Sequence, residues 1–466
     1  RSRKAPAPLP AVAPAGAFSA TRAMAVLQRV LGDQRPHPGG SEANAEVRGR
    51  IMDEFRRIGI AAEVRSRFAC GASACTTVHN ILGHLPGAAR DDAVLLTAHY
   101  DSVAAGPGAG DDGAGVAAVL EAARALKAGT PPGRDVWFLL DDGEEAGLLG
   151  AYAFAQEPEF ADIGWVVNLE ARGDVGASSL IETQAGNAGV VAAIGRALPR
   201  PSGSSLDYEI YKTLPNDTDF TVYRMHGRGG ANFALARGAA RYHTPLDDLA
   251  HLSAASVQHH GDNAVALVRE FASTPAAQLH ADGDAVFVHP FAAFQLAWPV
   301  AWNPWLLGIG LIGWLALAWR QQRRGALRVR GLLAASLLLV AGWLSLLFVA
   351  WLLARGLAAL GAMPAAWTAQ GGALSACFAL AGAGLAACLA RPVQRRWGSA
   401  ALGLATMVPF AALAAAAVAW MPGAAFAGLL PLLVLVATGH LVPARAVWWC
   451  GAAACVAAVL WMPYVA

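Results

Sequence analysis

Hydrophobic and polar positions divide this 466-residue chain into two parts with different patterns. Over residues 92–170, short apolar runs alternate with helical periodicity in the order strand, helix, strand, helix, strand. This alternation predicts an α/β domain with a mostly parallel or mixed sheet flanked by helices. Outside that core, helices are predicted at about 18–32, 41–58, 187–198 and 253–272, with a strand pair at 61–69 and 78–84.

Beyond about residue 297 the pattern becomes almost continuously apolar. Each apolar stretch is close to the ~20 residues that a helix needs to cross ~30 Å of hydrocarbon. A soluble helical core is disfavoured because this part contains no Asp, Glu or Lys from which to build a polar face. The pattern predicts an all-α multi-span domain with helices at about 301–319, 331–353, 371–390, 399–420, 424–441 and 446–463.

These patterns predict four segments along the chain. They are a Pro/Ala-rich linker at 1–17, a soluble α/β domain at 18–275, a connecting segment at 276–298, and a transmembrane domain of about six helices at 299–466.

Charge is distributed unevenly between the two parts. All 33 Asp and Glu residues lie at or before Asp284, whereas 10 of the 35 Lys and Arg residues lie after residue 290. The basic residues of the apolar part stand in short loops, a pattern that disfavours nucleic-acid binding. Thirteen of the 15 Trp residues follow residue 297, many near the ends of apolar runs, as in the aromatic belts of membrane spans.

Arginines in the loops predict the orientation of the spans. The first, third and fifth loops carry five, three and one Arg, whereas the second carries only Arg355 and the fourth none. By the positive-inside rule the odd loops are cytoplasmic. The α/β domain is then expected on the periplasmic, extracellular or luminal side, with an export signal or a further span before residue 1.

Polar residues follow the first strand of the predicted core. The apolar run Val94–Ala98 leads directly into His99 and Asp101, and a Gly/Pro-rich loop then leads to Asp111 at the start of a helix. Open α/β sheets bind their ligands at the carboxyl ends of strands. This stretch is therefore a candidate site.

Further metal-binding side chains occur at comparable positions. Glu144 and Glu145 follow the second strand, Glu170 ends the third, and His243 precedes a Thr-Pro turn. Imidazole and carboxylate donors with almost no sulfur suit Zn²⁺ in a hydrolytic site. In two-metal aminopeptidases the ions lie about 3.5–4 Å apart.

Four segments carry a resemblance to a known family. HYDSV…GPGAGDDGAG, DDGEEAGLLGA, NLEARG and YHTPLDD resemble segments of the co-catalytic zinc aminopeptidases of the aminopeptidase Y type, over roughly residues 18–272. The resemblance implies the zinc exopeptidase fold, two Zn²⁺ ions per chain and peptide substrates. It also implies that His99 and Glu170 bind one ion, Glu145 and His243 bind the other, and Asp111 bridges both.

The resemblance also implies how the reaction proceeds. Glu144 is expected to be the general base for a zinc-bound hydroxide, and Asp101 to hydrogen-bond the ring nitrogen of His99 that faces away from the metal. A cis peptide bond is expected between Asp111 and Asp112.

A second group of residues has two interpretations each. Asp217 and Asp219 are either turn and cap residues or substrate contacts, as the family's similar segment suggests. Tyr242 precedes a ligand and is a candidate for lining the pocket. Cys70 and Cys75 share one polar loop, where they form either a disulfide, if the domain is exported, or two free thiols.

A soluble zinc-exopeptidase domain followed by several spans resembles the endoplasmic reticulum metallopeptidases and the fungal vacuolar membrane protease. We therefore predict a membrane-anchored di-zinc aminopeptidase that removes N-terminal residues from peptides. Two alternatives are a single-zinc glutaminyl cyclase-like enzyme and a membrane scaffold or transporter with a peptidase-like domain. The spans contain no acid or Lys at membrane depth, which favours anchoring over ion transport. The sequence yields no prediction of an oligomeric state.

Overall fold

The computed structural model describes residues 5–71, 74–214, 216–290, 293–359 and 390–441. The chain forms two compact units, Arg1–Ala297 and Trp298–Ala466.

Nine helices and eight complete strands are described in the first unit. Its helices are α1 (Ala20–Leu31), α2 (Glu42–Ile58), α3 (Gly113–Lys127), α4 (Leu149–Phe154), α5 (Ala188–Ala197), α6 (Ser205–Tyr211), α7 (Asp219–Met225), α8 (Ala254–Ser273) and α9 (Ala276–Leu279). Its strands are β1 (Ala61–Cys70), β2 (Cys75–Leu85), β3 (Ala93–His99), β4 (Val136–Asp141), β5 (Ile163–Ala171), β6 (Val175–Thr183), β7 (Gly229–Arg237) and β8 (Ala285–Val288). A short strand β9 (Leu296–Pro299) follows, and pairs in a two-stranded sheet with β8.

The main sheet has seven strands in the order β1-β2-β4-β3-β5-β7-β6. Its centre, β4-β3-β5-β7, is parallel, whereas β1, β2 and β6 pair antiparallel to their neighbours. Every residue of β3 is buried, because helices cover both faces of the sheet there. This mixed sheet flanked by helices confirms the predicted fold class.

Local chemistry explains where the helices of the first unit begin. Ser19 and Ser41 cap α1 and α2 by accepting backbone N–H groups of the first turn. Asp112 caps α3 in the same way, through the N–H of Gly115. The cap of α3 therefore fixes the chain next to Asp111.

The second unit consists of apolar helices among the described residues. They are α10 (Asn303–Arg323), α11 (Val329–Ala359), α12 (Ser399–Ala405), α13 (Met407–Trp420) and α14 (Phe426–Leu441). Within the described ranges, four segments are long and apolar enough to cross a membrane: Val300–Arg323, Val329–Leu353, Ser399–Trp420 and Pro422–Leu441. Of the six predicted spans, residues 371–389 of the third and all of the sixth lie outside the described residues.

The outward faces of these helices are apolar. Trp305, Ile312 and Trp319 of α10 are exposed to more than half of their surface. Contiguous exposed apolar surface of this kind marks a membrane or a partner interface. The helices therefore agree with the predicted membrane domain.

Candidate metal centre

The predicted site residues converge at the carboxyl edge of the parallel strands. His99 is the last residue of β3 and pairs in register with Asp141, the last residue of β4. Glu144 follows β4 by three residues, Glu170 is the last residue but one of β5, and His243 follows β7 in a loop. Parallel strands thus bring these segments to one edge of the sheet.

Donor atoms from six of these side chains lie close enough to hold metal ions. Three overlapping groups each have their donor atoms within 4.8 Å of one another: His99 with Asp111 and Glu170, Asp111 with Glu145 and His243, and His99 with Glu144 and Glu145.

Asp111 occupies the centre of this arrangement. Its Oδ1 lies 3.3 Å from Nε2 of His99, and its Oδ2 lies 3.1 Å from Nε2 of His243. Nε2 of His243 also lies 3.2 Å from Oε1 of Glu145. The two oxygens of one buried carboxylate therefore face two different imidazoles, as a bridging ligand requires.

The backbone around Asp111 is held by another acid. The Asp247 carboxylate accepts the N–H groups of Gly110, at 2.7 Å, and Asp111, at 3.1 Å. The peptide bond between Asp111 and Asp112 is cis, which confirms that expectation. Asp247 was not singled out from the sequence, because only the fold brings it to this loop.

Asp101 has two contacts rather than the single expected one. Its carboxylate oxygen lies 3.5 Å from Nδ1 of His99, and its backbone carbonyl lies closer, at 3.0 Å. The same carboxylate also accepts the backbone N–H groups of Glu144, at 3.0 Å, and Glu145, at 3.3 Å. Asp101 therefore orients the loop that carries both glutamates.

The β1–β2 hairpin contacts the helix that follows this loop. Cys70 and Cys75 are joined by a disulfide at its tip. Ala69 and Val78 of the hairpin form a small hydrophobic cluster with Leu149 of α4, which is separate from the main core. The hairpin thus packs against the start of α4, directly after the loop that carries both glutamates.

The local backbone of His243 is unusual. It has a φ of 57°, in the left-handed region that costs a non-glycine residue about 1–3 kcal/mol. Its ring stacks on that of Tyr242, with the centroids 3.7 Å apart. Half-buried Tyr242 therefore lies beside a candidate ligand, at the border of the site.

The two other predicted substrate contacts lie in different places. Asp217 is exposed and lines a small cavity of about 120 Å³ together with Glu182. Asp219 is 1% exposed, and burial together with the charge of nearby Asp141 raises its pKa well above the ordinary value. Burial raises the pKa of Asp141 to about 7, so this pair holds a proton behind the site. The roles of Asp217 and Asp219 toward substrate stay predictions.

Electrostatics of the site favour a bound cation. Burial raises the pKa of Glu170 well above its ordinary value, and the charge of Glu144 adds to the effect. Burial alone disfavours a charged His243, but its contacts with Asp111 and Glu145 raise its pKa to about 10. The crowded carboxylates thus either keep their protons or pair with protonated imidazoles. Bound divalent ions would take the place of these protons.

The residues present fit zinc. The donors are imidazoles and carboxylates, the set that Zn²⁺ uses in hydrolytic sites. Oε1 of Glu170 is buried and has no hydrogen-bond partner among the described residues, which is costly unless another group binds it.

The comparison with protein families gives a match over this region. Residues 80–268 match the model of Peptidase family M28. The vacuolar membrane protease of Verticillium alfalfae is 38% identical over 180 residues, which cover 38% of this chain and 17% of that protein. Human endoplasmic reticulum metallopeptidase 1 is 33% identical over 215 residues, which cover 44% and 24%.

The chain spans less than a third of the length of these curated relatives. Among solved structures, the zinc aminopeptidase BSAP of Bacillus subtilis aligns with a TM-score of 0.45 and 18% identity, over 57% of this chain and 98% of that one. The family match includes every predicted metal ligand, from His99 to His243. The chain therefore carries a domain of Peptidase family M28.

Proposed function

We propose that this protein is a membrane-anchored aminopeptidase that holds two Zn²⁺ ions and removes N-terminal residues from peptides. The observation that carries the proposal is the position of Asp111, whose two carboxylate oxygens each approach a different imidazole. One such carboxylate between two donor groups is what a two-metal peptidase requires.

Five side chains hold the ions in this proposal. His99 and Glu170 hold the first, Glu145 and His243 the second, and Asp111 both. When bound, zinc supplies Lewis acidity, which lowers the pKa of a coordinated water toward ~7 and polarises the scissile carbonyl.

Glu144 is the general base in this proposal. The two ligand groups that contain Asp111 include every donor side chain of the cluster except Glu144. The Glu144 carboxylate is therefore left available. Burial, reinforced by the charges of Asp219 and Glu145, raises the pKa of Glu144 well above its ordinary value. A carboxylate with a raised pKa readily accepts the proton of the attacking water and then donates it to the leaving amine nitrogen.

The excess of carboxylates explains a preference for the N-terminus of a peptide. The free α-amino group of a peptide is held near this carboxylate-rich metal centre, whereas an internal peptide bond offers no such group. The site therefore favours exopeptidase over endopeptidase activity.

The membrane helices anchor this domain on the non-cytoplasmic side. The Arg-rich first and third loops support that orientation through the positive-inside rule. Relatives named for vacuolar and endoplasmic reticulum membranes agree with a membrane location.

The test uses the purified full chain in detergent. Aminoacyl-coumarin substrates should be hydrolysed with two zinc ions bound per chain, lost with chelator and recovered on zinc return. N-terminal glutaminyl peptides are included to detect cyclisation. One ion per chain with cyclisation alone would favour the cyclase, and no metal-dependent turnover would contradict the proposal.

A further inference from the structure

A cation that the proposed chemistry does not use lies next to the metal centre. Arg172 follows Glu170 by two residues, at the carboxyl end of β5. Its backbone N–H donates to the carbonyl of Leu235, at 2.8 Å, while its side chain is exposed. The backbone is thus fixed and the guanidinium is free to face solvent or a ligand.

The Arg172 side chain contacts the ring that borders the site. Its guanidinium carbon lies 5.8 Å from the ring centroid of Tyr242, and that ring stacks on His243. A cation near an aromatic ring at this distance is weakly attracted to it. Tyr242 therefore contacts both the guanidinium and a candidate metal ligand.

Arg172 differs from its neighbour Arg241 in its partners. Arg241, beside Tyr242 in sequence, is held in an ion pair by Asp174. The guanidinium of Arg172 has no ion pair or hydrogen bond within the part of the chain that the structure describes. An unpaired arginine at the border of the metal centre is available for an anion from outside the chain.

We propose that Arg172 binds a carboxylate of the substrate, on the residue that follows the scissile bond. Consecutive Cα atoms are ~3.8 Å apart, so a carboxylate of that residue falls within a few ångströms of the metal centre. Guanidinium groups bind carboxylates in a bidentate manner. The inference deepens the proposed function and depends on it.

The carboxylate has two possible sources, the C-terminus of a dipeptide or an acidic side chain. Substrate pairs separate them: Leu-Ala against Leu-Ala amide for the first, and Leu-Asp amide against Leu-Asn amide for the second. In the substrate pair that tests the true source, we expect kcat/KM of the zinc-loaded full chain to be about tenfold higher for the substrate with the carboxylate than for its neutral counterpart. This factor is equivalent to ~1.4 kcal/mol.

The substitution Arg172→Met should abolish that preference while leaving kcat/KM for the neutral amides within about twofold, and Arg172→Lys should keep part of it. The control is Arg90→Met, an exposed arginine before β3, at the opposite edge of the sheet. Circular dichroism and zinc content verify that each variant is folded.

The outcomes separate this inference from the function on which it depends. Loss of the preference for only one substrate pair identifies the source of the carboxylate. Wild type without any preference, or an Arg172→Met variant that retains it, overturns the inference while cleavage of the amides still supports the aminopeptidase. Absence of cleavage for every substrate removes both.

Discussion

Asp111 and its surroundings determine the charge balance of the metal centre. Contacts with His243 and His99 overcome the effect of burial and lower the pKa of Asp111 to about 2. Burial instead raises the pKa of Glu144, next to it in space. Neighbouring acids with pKa values shifted in opposite directions are suited to different tasks, ligation and proton transfer.

The two adjacent glutamates give the first prediction. Glu144→Gln should lower kcat by about 10²- to 10⁴-fold, because it removes the proposed general base but none of the proposed ligands. Glu145→Gln should instead lower the zinc content. Steady-state kinetics and metal analysis of both variants test this difference. Similar zinc loss in both would mean that Glu144 is a ligand.

Asp101 gives the second prediction at this scale. An amide nitrogen in place of one carboxylate oxygen cannot accept the backbone N–H of Glu144 or Glu145. We therefore expect Asp101→Asn to weaken zinc binding by about 10- to 100-fold, as for other residues that orient ligands. Competition with a chelator measures this affinity, and exposed Asp91→Asn serves as the control. An unchanged zinc affinity would mean that Asp101 does not orient the ligands.

Residue motifs predict a ligand set but not the groups that support it. The family resemblance identified Asp111 and His243 as ligands. Their separation along the sequence does not determine how far apart they lie in the folded chain. Asp247 lies 137 residues from Gly110, and its contact with that N–H exists only in the folded chain. The positions of Asp247 and Arg172 therefore required coordinates.

At the scale of elements, predictability depends on burial. Strands β3, β4 and β5 are buried on both faces, so their sequences are continuous apolar runs. Strand β6 at the edge of the sheet contains Gly and Ser and is half-buried at alternate positions. Its sequence shows no clear periodicity, and residues 175–183 were not predicted as a strand.

The contact between β6 and α8 contains a buried histidine. Nδ1 of His260 lies 2.8 Å from Oγ of Ser178, and His260 has no exposed surface. Burial lowers the pKa of His260 to about 3. The folded protein therefore keeps this ring neutral where an unfolded chain, with a pKa near 6.5, would bind a proton.

The third prediction follows from that difference. At this ring the unfolded chain binds more protons than the folded one, so the contribution of His260 to the free energy of unfolding should decrease as pH falls from about 6.5 toward about 3. The difference in the free energy of unfolding between wild type and His260→Asn should therefore change with pH in that direction. Denaturant titrations at several pH values measure both slopes, with exposed His226→Asn as the control. Equal slopes in wild type and His260→Asn would contradict this assignment.

At the scale of the whole molecule, the loops between the predicted spans give the fourth prediction. Single cysteines replacing Arg324 and Arg395 should resist a membrane-impermeant maleimide in intact cells, because the proposed orientation places their loops in the cytoplasm. Cysteines replacing Met421 and Arg90 should react. Permeabilised cells provide the control for accessibility. Labelling of Arg324→Cys in intact cells would mean that the orientation is the reverse of the proposed one, with the peptidase domain in the cytoplasm.

The convergence of distant donors on Asp111 has a consequence for thermal denaturation. His243 and Asp111 are 132 residues apart, so an ion bound to both closes a long loop of the chain, much as a covalent crosslink would. Ligands that bind only the native state stabilise it, by ~2.7 kcal/mol at a hundredfold excess over Kd. Calorimetry should therefore find that the metal-depleted protein melts at a lower temperature and that added zinc restores the transition.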